Sequence, residues 1–401
     1  MSTEVGGMGA AARGGLPSGI RMDRARPAAT LGSMEPASGT GPRGRAAGPI
    51  EPPRSILVRL PNWLGDVVMA TGALCALKER YPEARLTALG RRAHAELLRG
   101  LPAIDAFVAL DGGKGPAAIV RQGLRLRSAG FDLGVLLPNS FSSAAIFRVA
   151  GIRERIGYDL NFRGALLTRK IRPAMDGHRR IPTPMPEYYR RLLELVDAGE
   201  PSFPPRLAVG ADDEVALARY LAAQPLPPGR GPLVLLNAGA SFGPSKLWRS
   251  GRFAAVGDRL QAEQDARIVV LAGPGEEGLA AEIAGAMRRP HRAVIPELLR
   301  LGALKALVRR ADLLVTTDTG PRHVAVALGR PVVVLMGSTD PRHTNYGLER
   351  TTLIRKDVDC SPCHLKTCPI DHRCMERITV EEVVAAARAR LSAGGRSAAP
   401  E

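Results

Sequence analysis

The apolar residues of this chain fall in short runs separated by longer stretches with helical spacing. Ile56, Leu57, Val58 and Leu60 make one such run, short and branched enough to predict a buried strand. Residues 67–80 then place Val68, Leu74 and Leu77 on one side of a helix, and Pro82 ends it. Residues 86–89, 107–110 and 133–137 predict further strands with helical segments between them. Strands that alternate with helices argue for a parallel sheet. The second half repeats the pattern at 233–237, 268–272, 313–316 and 332–336. A last helix is predicted over 379–391, where Thr379 and Glu382 have capping-box spacing and Gly394 follows the end.

The pattern predicts how the chain divides. Residues 1–53 are Gly, Ala, Pro, Arg and Ser without an apolar period, and are expected to form a disordered tail. Met22 and Met34 are internal candidates for the start. Two α/β domains follow, over 54–200 and 201–378, joined by the Gly- and Pro-containing stretch 198–205. Residues 379–401 form a terminal helix and tail. A chain of 401 residues is too long for one ordinary core and fits two.

Composition adds three constraints. Aromatic residues are scarce at 4%, so Leu, Val and Ala supply most of the core. No apolar run approaches the roughly 20 residues that span a bilayer, and no secretory signal pattern is present, so a cytoplasmic protein is expected. The net charge of +17 calls for an acidic partner. Residues 148–191 hold 11 Lys and Arg against four Asp and Glu. That excess reflects either an Arg-rich composition or a face for an anionic surface. No nucleic-acid signature and no aromatic stacking platform beside the arginines is evident, so nucleic acid is not an expected partner.

Two turns carry the most chemistry. Gly65-Asp66 follows the first predicted strand, and Asp318-Thr319-Gly320 follows the strand at 313–316. In open parallel sheets ligands bind at such strand ends, so the two turns suggest two domains facing a shared cleft. Asp66 is either an N-cap or a general base for a bound hydroxyl. The Asp318–Gly320 turn opens a helix whose free N–H groups suit a phosphate, with His323 one turn further on. The alternative is a capped helix with a satisfied histidine. Lys246 ends the small-residue loop 237–246 and either reaches a phosphate or is solvated. Glu276, in the loop after 268–272, either holds sugar hydroxyls or caps a helix. Cys360, Cys363, Cys368 and Cys374, with His364 and His372 interleaved, point to a structural zinc site in a loop over 360–374; the alternative is a set of reduced thiols.

Taken together the motifs resemble a known family. Pro61-Asn62-Trp63-Leu64-Gly65-Asp66-Val67-Val68-Met69 looks like the N-terminal signature of the ADP-heptose:lipopolysaccharide heptosyltransferases (glycosyltransferase family 9), in their heptosyltransferase II branch. Leu136 to Phe141, Ala150-Gly151-Ile152 and Ile156-Gly157-Tyr158 are similar to its middle segment. Residues 237–248, 273–276 and 318–323, with Ala325, Ala327 and Leu328, resemble its second domain. The likeness covers about 55–391, with five motifs in order.

The resemblance implies a GT-B-type fold, two Rossmann-like, doubly wound α/β domains facing a central cleft. It implies that the acceptor binds in 54–200 and the nucleotide-sugar donor in 201–378. It implies an inverting transfer of heptose from ADP-heptose to the first heptose of the lipopolysaccharide inner core, with no cofactor required for catalysis. Asp66 matches the general base. Ser241, Lys246, Glu276, Asp318, Thr319, Gly320 and His323 match donor-binding positions. The basic segment suits an anionic Kdo-lipid A acceptor on the cytoplasmic face of the inner membrane, with Arg179 and Arg180 as candidate contacts. The cysteine cluster is absent from enterobacterial members, so the chemistry does not require it. The rivals are a related enzyme with another nucleotide-sugar donor or glycan acceptor, and a non-catalytic binding protein on the same scaffold.

Overall fold

The computed structural model describes residues 51–113, 115–177, 179–294 and 299–394. The expected tail over 1–53 lies outside them except for its last three residues, as do residues 395–401 of the second tail. Two six-stranded parallel sheets form the frame. The first contains β1 (Ser55–Arg59), β2 (Arg85–Gly90), β3 (Ala106–Ala109), β4 (Leu133–Leu136), β5 (Glu154–Tyr158) and β6 (Arg169–Ile171), in the order β3-β2-β1-β4-β5-β6. A two-stranded antiparallel ribbon follows, β7 (Met175–Asp176) with β8 (Arg179–Arg180). The second sheet contains β9 (Leu233–Asn237), β10 (Arg267–Leu271), β11 (Arg292–Ala293), β12 (Leu313–Thr317), β13 (Val332–Met336) and β14 (Thr351–Arg355). Its order, β11-β10-β9-β12-β13-β14, repeats that of the first sheet.

This is the doubly wound α/β order, and it dictates where ligands go. The direction of winding reverses between β1 and β4, and again between β9 and β12, and the crevice lies beyond the carboxyl ends of those strands. The central strands are buried on both faces, so Ile56, Leu57, Val58 and Leu233–Leu236 read as continuous apolar runs. Ile56 pairs with Leu86 and Leu133, and Leu235 pairs with Val269 and Leu314.

The elements differ from the sequence pattern in informative places. The expected helix over 67–80 is two helices, Leu64–Met69 and Thr71–Arg80. The break falls at Ala70, where the Thr71 hydroxyl donates to the Val68 carbonyl at 2.7 Å. Arg179 and Arg180, the candidate acceptor contacts, form the second strand of the ribbon. Strands β5, β6, β11 and β14 begin or end on charged or hydroxyl residues, which hide their alternation. The capping box at the last helix forms as expected: the Thr379 N–H donates to Glu382 at 2.9 Å and the Glu382 N–H donates back at 3.3 Å.

Helices Ala211–Ala223 and Leu301–Arg310 pack together beside the linker. Between them lies a buried ion pair. Lys305 Nζ donates to Asp213 Oδ2 at 2.9 Å and to the carbonyls of Arg99, at 3.1 Å, and Ala208, at 2.8 Å. All three ammonium protons are therefore used, and one goes to the first half of the chain. No described helix is long and apolar enough to cross a membrane.

Candidate active site

The turn after β1 is built around a buried arginine. Arg59 lies in the strand, and its guanidinium donates to Asn62 Oδ1 at 2.8 Å, fixing the bend that follows. Trp63 is the N-cap of the helix Leu64–Met69 and makes no side-chain cap bond, and Asp66 is the third residue of that helix. Asp66 is thus not the helix cap. Its carboxyl group faces the second domain, where Lys246 and Asp318 are its charged neighbours. Burial pushes its pKa up to about 6, against the opposing pull of Lys246.

The turn after β12 lies directly opposite. Asp318 is buried, and both its oxygens are engaged. Lys246 Nζ donates to Oδ2 at 2.9 Å and to the Asp318 carbonyl at 2.8 Å. Arg322 donates to Oδ1 at 2.7 Å, and Thr339 donates to Oδ2 at 3.0 Å. Burial alone would raise this pKa; the two cations outweigh it and hold Asp318 well below the usual carboxylate range. Two carboxylates beside one lysine thus have their pKa values driven apart, the pattern of sites that assign proton roles. Thr319 is the N-cap of the helix Gly320–Ala327, and its hydroxyl accepts from Asn237 Nδ2 at 3.0 Å. Burial keeps His323 neutral, with its pKa at about 3, and its Nδ1 meets the Tyr346 hydroxyl at 2.5 Å.

The two turns touch. A Cβ on Gly65 would lie 2.5 Å from His323 Cδ2, and one on Gly320 would lie 2.8 Å from Leu64 Cδ2. Only glycine permits this approach of one domain to the other.

The remaining predicted residues fall as follows. Lys246 sits over the Phe242 ring, 5.3 Å from its centroid. Glu276 uses both oxygens on backbone donors, Ala240 N–H at 2.9 Å and Gly273 N–H at 3.1 Å, and so ties together the loops after β9 and β10. Ser241 is exposed at the tip of its loop. Arg180 is exposed on β8 and hydrogen-bonds the Tyr188 hydroxyl, which also receives Asn139 Nδ2 at 2.9 Å. The side chain of Arg179 lies outside the described residues.

The cysteine segment gathers its four thiols, with Cys360, Cys363 and Cys368 as charge neighbours of Cys374. Among the described residues no group of three or more His, Cys, Asp or Glu side chains is placed to hold a metal ion. Cys374 is buried, whereas Cys360, Cys363 and Cys368 are half-buried. The segment is fastened to the donor loop by hydrogen bonds. The Ser245 N–H donates to the Lys366 carbonyl at 2.9 Å, and its hydroxyl reaches the Leu365 carbonyl at 2.5 Å and Ser338 Oγ at 3.1 Å. His372 Nε2 lies 2.8 Å from the Ser245 carbonyl. The cysteine-rich loop therefore braces the residue next to Lys246.

Arg322, Thr339, Thr344 and Tyr346 are site residues that sequence reasoning missed, and His372, read there only beside the cysteines, serves as a brace. Asp318, just before the helix, and Arg322, in its first turn, are spaced i,i+4, and that spacing is the signal that could have found Arg322.

Residues 119–373 match glycosyltransferase family 9 (heptosyltransferase). The chain is 27% identical over 343 residues to lipooligosaccharide heptosyltransferase 2 of Campylobacter jejuni, covering 83% of this chain and 97% of that one. It is 28% identical over 312 residues to lipopolysaccharide heptosyltransferase 2 of Escherichia coli K12, covering 75% and 87%. Among solved structures it is similar to E. coli ADP-heptose lipopolysaccharide heptosyltransferase II, with a TM-score of 0.70, 25% identity, and 85% and 99% of the two chains covered.

Proposed function

The chain belongs to glycosyltransferase family 9, the heptosyltransferases, and is a glycosyltransferase; we propose that it moves heptose from ADP-heptose to the first heptose of the lipopolysaccharide inner core, with inversion at the anomeric carbon. The observation that carries the reading is Asp66, set across the cleft from the Lys246–Asp318 pair. Asp66 takes the proton of the acceptor hydroxyl. The freed oxygen forms a bond to the anomeric carbon as the bond from that carbon to the diphosphate breaks, and ADP carries away the electron pair.

The second domain's part is to meet the charge on the diphosphate. Lys246 has three N–H donors and spends two on Asp318. The third, with the Thr319 and Gly320 N–H groups at the head of the helix Gly320–Ala327, is available to phosphate oxygens. Asp318 and Arg322 hold the lysine in place. Glu276 fixes the loops around the sugar rather than offering two free oxygens. The Lys246 charge takes the part that a divalent ion plays in other transferases. The acceptor, an anionic glycolipid, is taken up at the first domain from the cytoplasmic face of the inner membrane.

Turnover with ADP-heptose against UDP- and GDP-sugars, using a core acceptor that ends in one heptose, tests the reading. The expected result is transfer from ADP-heptose alone, undiminished by EDTA. Transfer from a UDP- or GDP-sugar, or an absolute need for added Mg²⁺, would overturn it.

A further inference from the structure

Only three of the aromatic side chains are exposed among the described residues: Trp63, Phe141 and Phe162. They are far apart in sequence, which is why no aromatic platform is evident there. The sheet brings them to one edge. Trp63 follows β1, Phe141 follows β4 and Phe162 follows β5, and these strands are adjacent and parallel. All three residues therefore emerge at the carboxyl edge, on the same side as Asp66. Neighbouring strands are about 4.8 Å apart, close to the width of one sugar ring.

Each aromatic sits on a fixed loop. The Arg59 guanidinium pins Asn62 beside Trp63. Ser140 accepts from the Ser143 N–H at the head of the helix that Phe141 begins. Phe162 is 98% exposed and has a φ of 59°, a left-handed conformation that bulky residues avoid. Its neighbours hold it there. Arg163 is fully buried and donates to the Tyr158 carbonyl at 2.9 Å and to Asn139 Oδ1 at 3.0 Å. Asn161 Nδ2 donates to the Asn139 carbonyl at 2.9 Å. A phenyl ring held in strained backbone and fully in solvent gains nothing from packing, and such outlay marks a binding surface.

We propose that Trp63, Phe141 and Phe162 are a stacking platform for successive sugar rings of an anionic oligosaccharide acceptor, with Trp63 under the ring whose hydroxyl meets Asp66. The proposal rests on the transferase reading and gives its acceptor a seat. The apolar faces of sugar rings pack on aromatic faces, while the exposed Asn62 and Asn161 beside the aromatics suit their hydroxyls. Arg91 and Arg92, after β2, and Arg172, after β6, are exposed at the same edge and match negative charge on the glycan. A bilayer fits less well. Trp63 lies three residues before Asp66, so inserting it among acyl chains would carry the base out of water as well.

The chain reports on the platform directly. Its only other tryptophan, Trp248, is buried, so quenchable fluorescence comes from Trp63. The full chain is titrated with deacylated, phosphorylated inner-core oligosaccharide, and both acrylamide quenching and calorimetric affinity are followed. Binding should shield Trp63. Phe141→Ala and Phe162→Ala should each weaken oligosaccharide affinity about tenfold and leave ADP affinity unchanged. The Phe162 effect should vanish with an acceptor cut to one ring, where that of Trp63→Leu persists. No binding of the oligosaccharide, or binding with unchanged quenching and unchanged variant affinities, would overturn the proposal. So would variants that lose binding to anionic phospholipid vesicles yet keep oligosaccharide affinity. Shielding of Trp63 in a protein that fails to use ADP-heptose would support the platform while removing the donor reading.

Discussion

Gly65 and His323 sit against each other across the cleft, so close that a Cβ on the glycine would come within 2.5 Å of the imidazole. The contact joins the turn that carries Asp66 to the helix that follows Asp318. Gly65→Ala should therefore hold the two turns apart and lower kcat/KM at least tenfold, about 1.4 kcal/mol in transition-state terms, with little change in ADP affinity. In a His323→Ala background the same alanine should cost less than twofold. An equal cost in both backgrounds would show that this contact is not the cause.

Asp66 connects activity and stability to pH. As a general base it works ionised, so kcat/KM should rise with pH and reach half its plateau near pH 6. Asp66→Asn should lower kcat by about 10²–10⁴. The stability effect has the opposite sense. The folded-state pKa is raised above the unfolded value of about 3.9, so the stabilising contribution is complete below about pH 4 and is lost as pH rises through about 6. The Asn variant should thus be more stable than the parent at pH 7, by on the order of 1–3 kcal/mol, and no more stable at pH 4. Urea unfolding at the two pH values checks this; a variant destabilised at pH 7 would contradict it.

The brace on the donor loop gives a third expectation. His372→Ala removes the side chain beside the Ser245 carbonyl and should weaken ADP binding severalfold without lowering the melting temperature by more than a few degrees. Because hydrogen bonds hold the segment, a strong zinc chelator should leave ADP affinity unchanged. Loss of affinity on chelation, together with about one zinc per chain in untreated protein, would instead support a closed cysteine site.

Charge reversal at Arg180 should raise the acceptor KM and leave the donor KM nearly unchanged, since Arg180 touches Tyr188 in the first domain. Raising ionic strength to about 0.15 M should weaken acceptor binding more than donor binding. Equal salt sensitivity of the two substrates would assign the basic segment to composition alone.

Asp66, Lys246 and Asp318 were legible because each lies in an uninterrupted strand–turn–helix segment, where hydrophobic period and a Gly-containing turn locate a strand end. Tyr346, Thr344 and Thr339 were not, because they come from irregular chain after β13, where no period exists to place them. Glu276 was visible as a carboxylate at the right edge, yet its use on the Ala240 and Gly273 N–H groups depends on a neighbouring loop that local pattern does not position. The parallel sheets followed from alternating strands and helices, and their doubly wound order from the family resemblance. Edge strands β6 and β14 escaped because half-solvated strands carry the polar residues that blur alternation. The acceptor edge was hidden most completely: Trp63, Phe141 and Phe162 become neighbours only once β1, β4 and β5 lie side by side.

The Lys305 ammonium, with its three acceptors, bears on how the two halves come together while the chain folds. Each sheet can form from its own run of sequence, and two apolar surfaces can meet in many ways. Any meeting that buries Lys305 but misses the Arg99 carbonyl leaves one ammonium proton without its acceptor, at a cost of about 1–3 kcal/mol. Such arrangements are disfavoured relative to the one that brings Asp66 opposite Lys246.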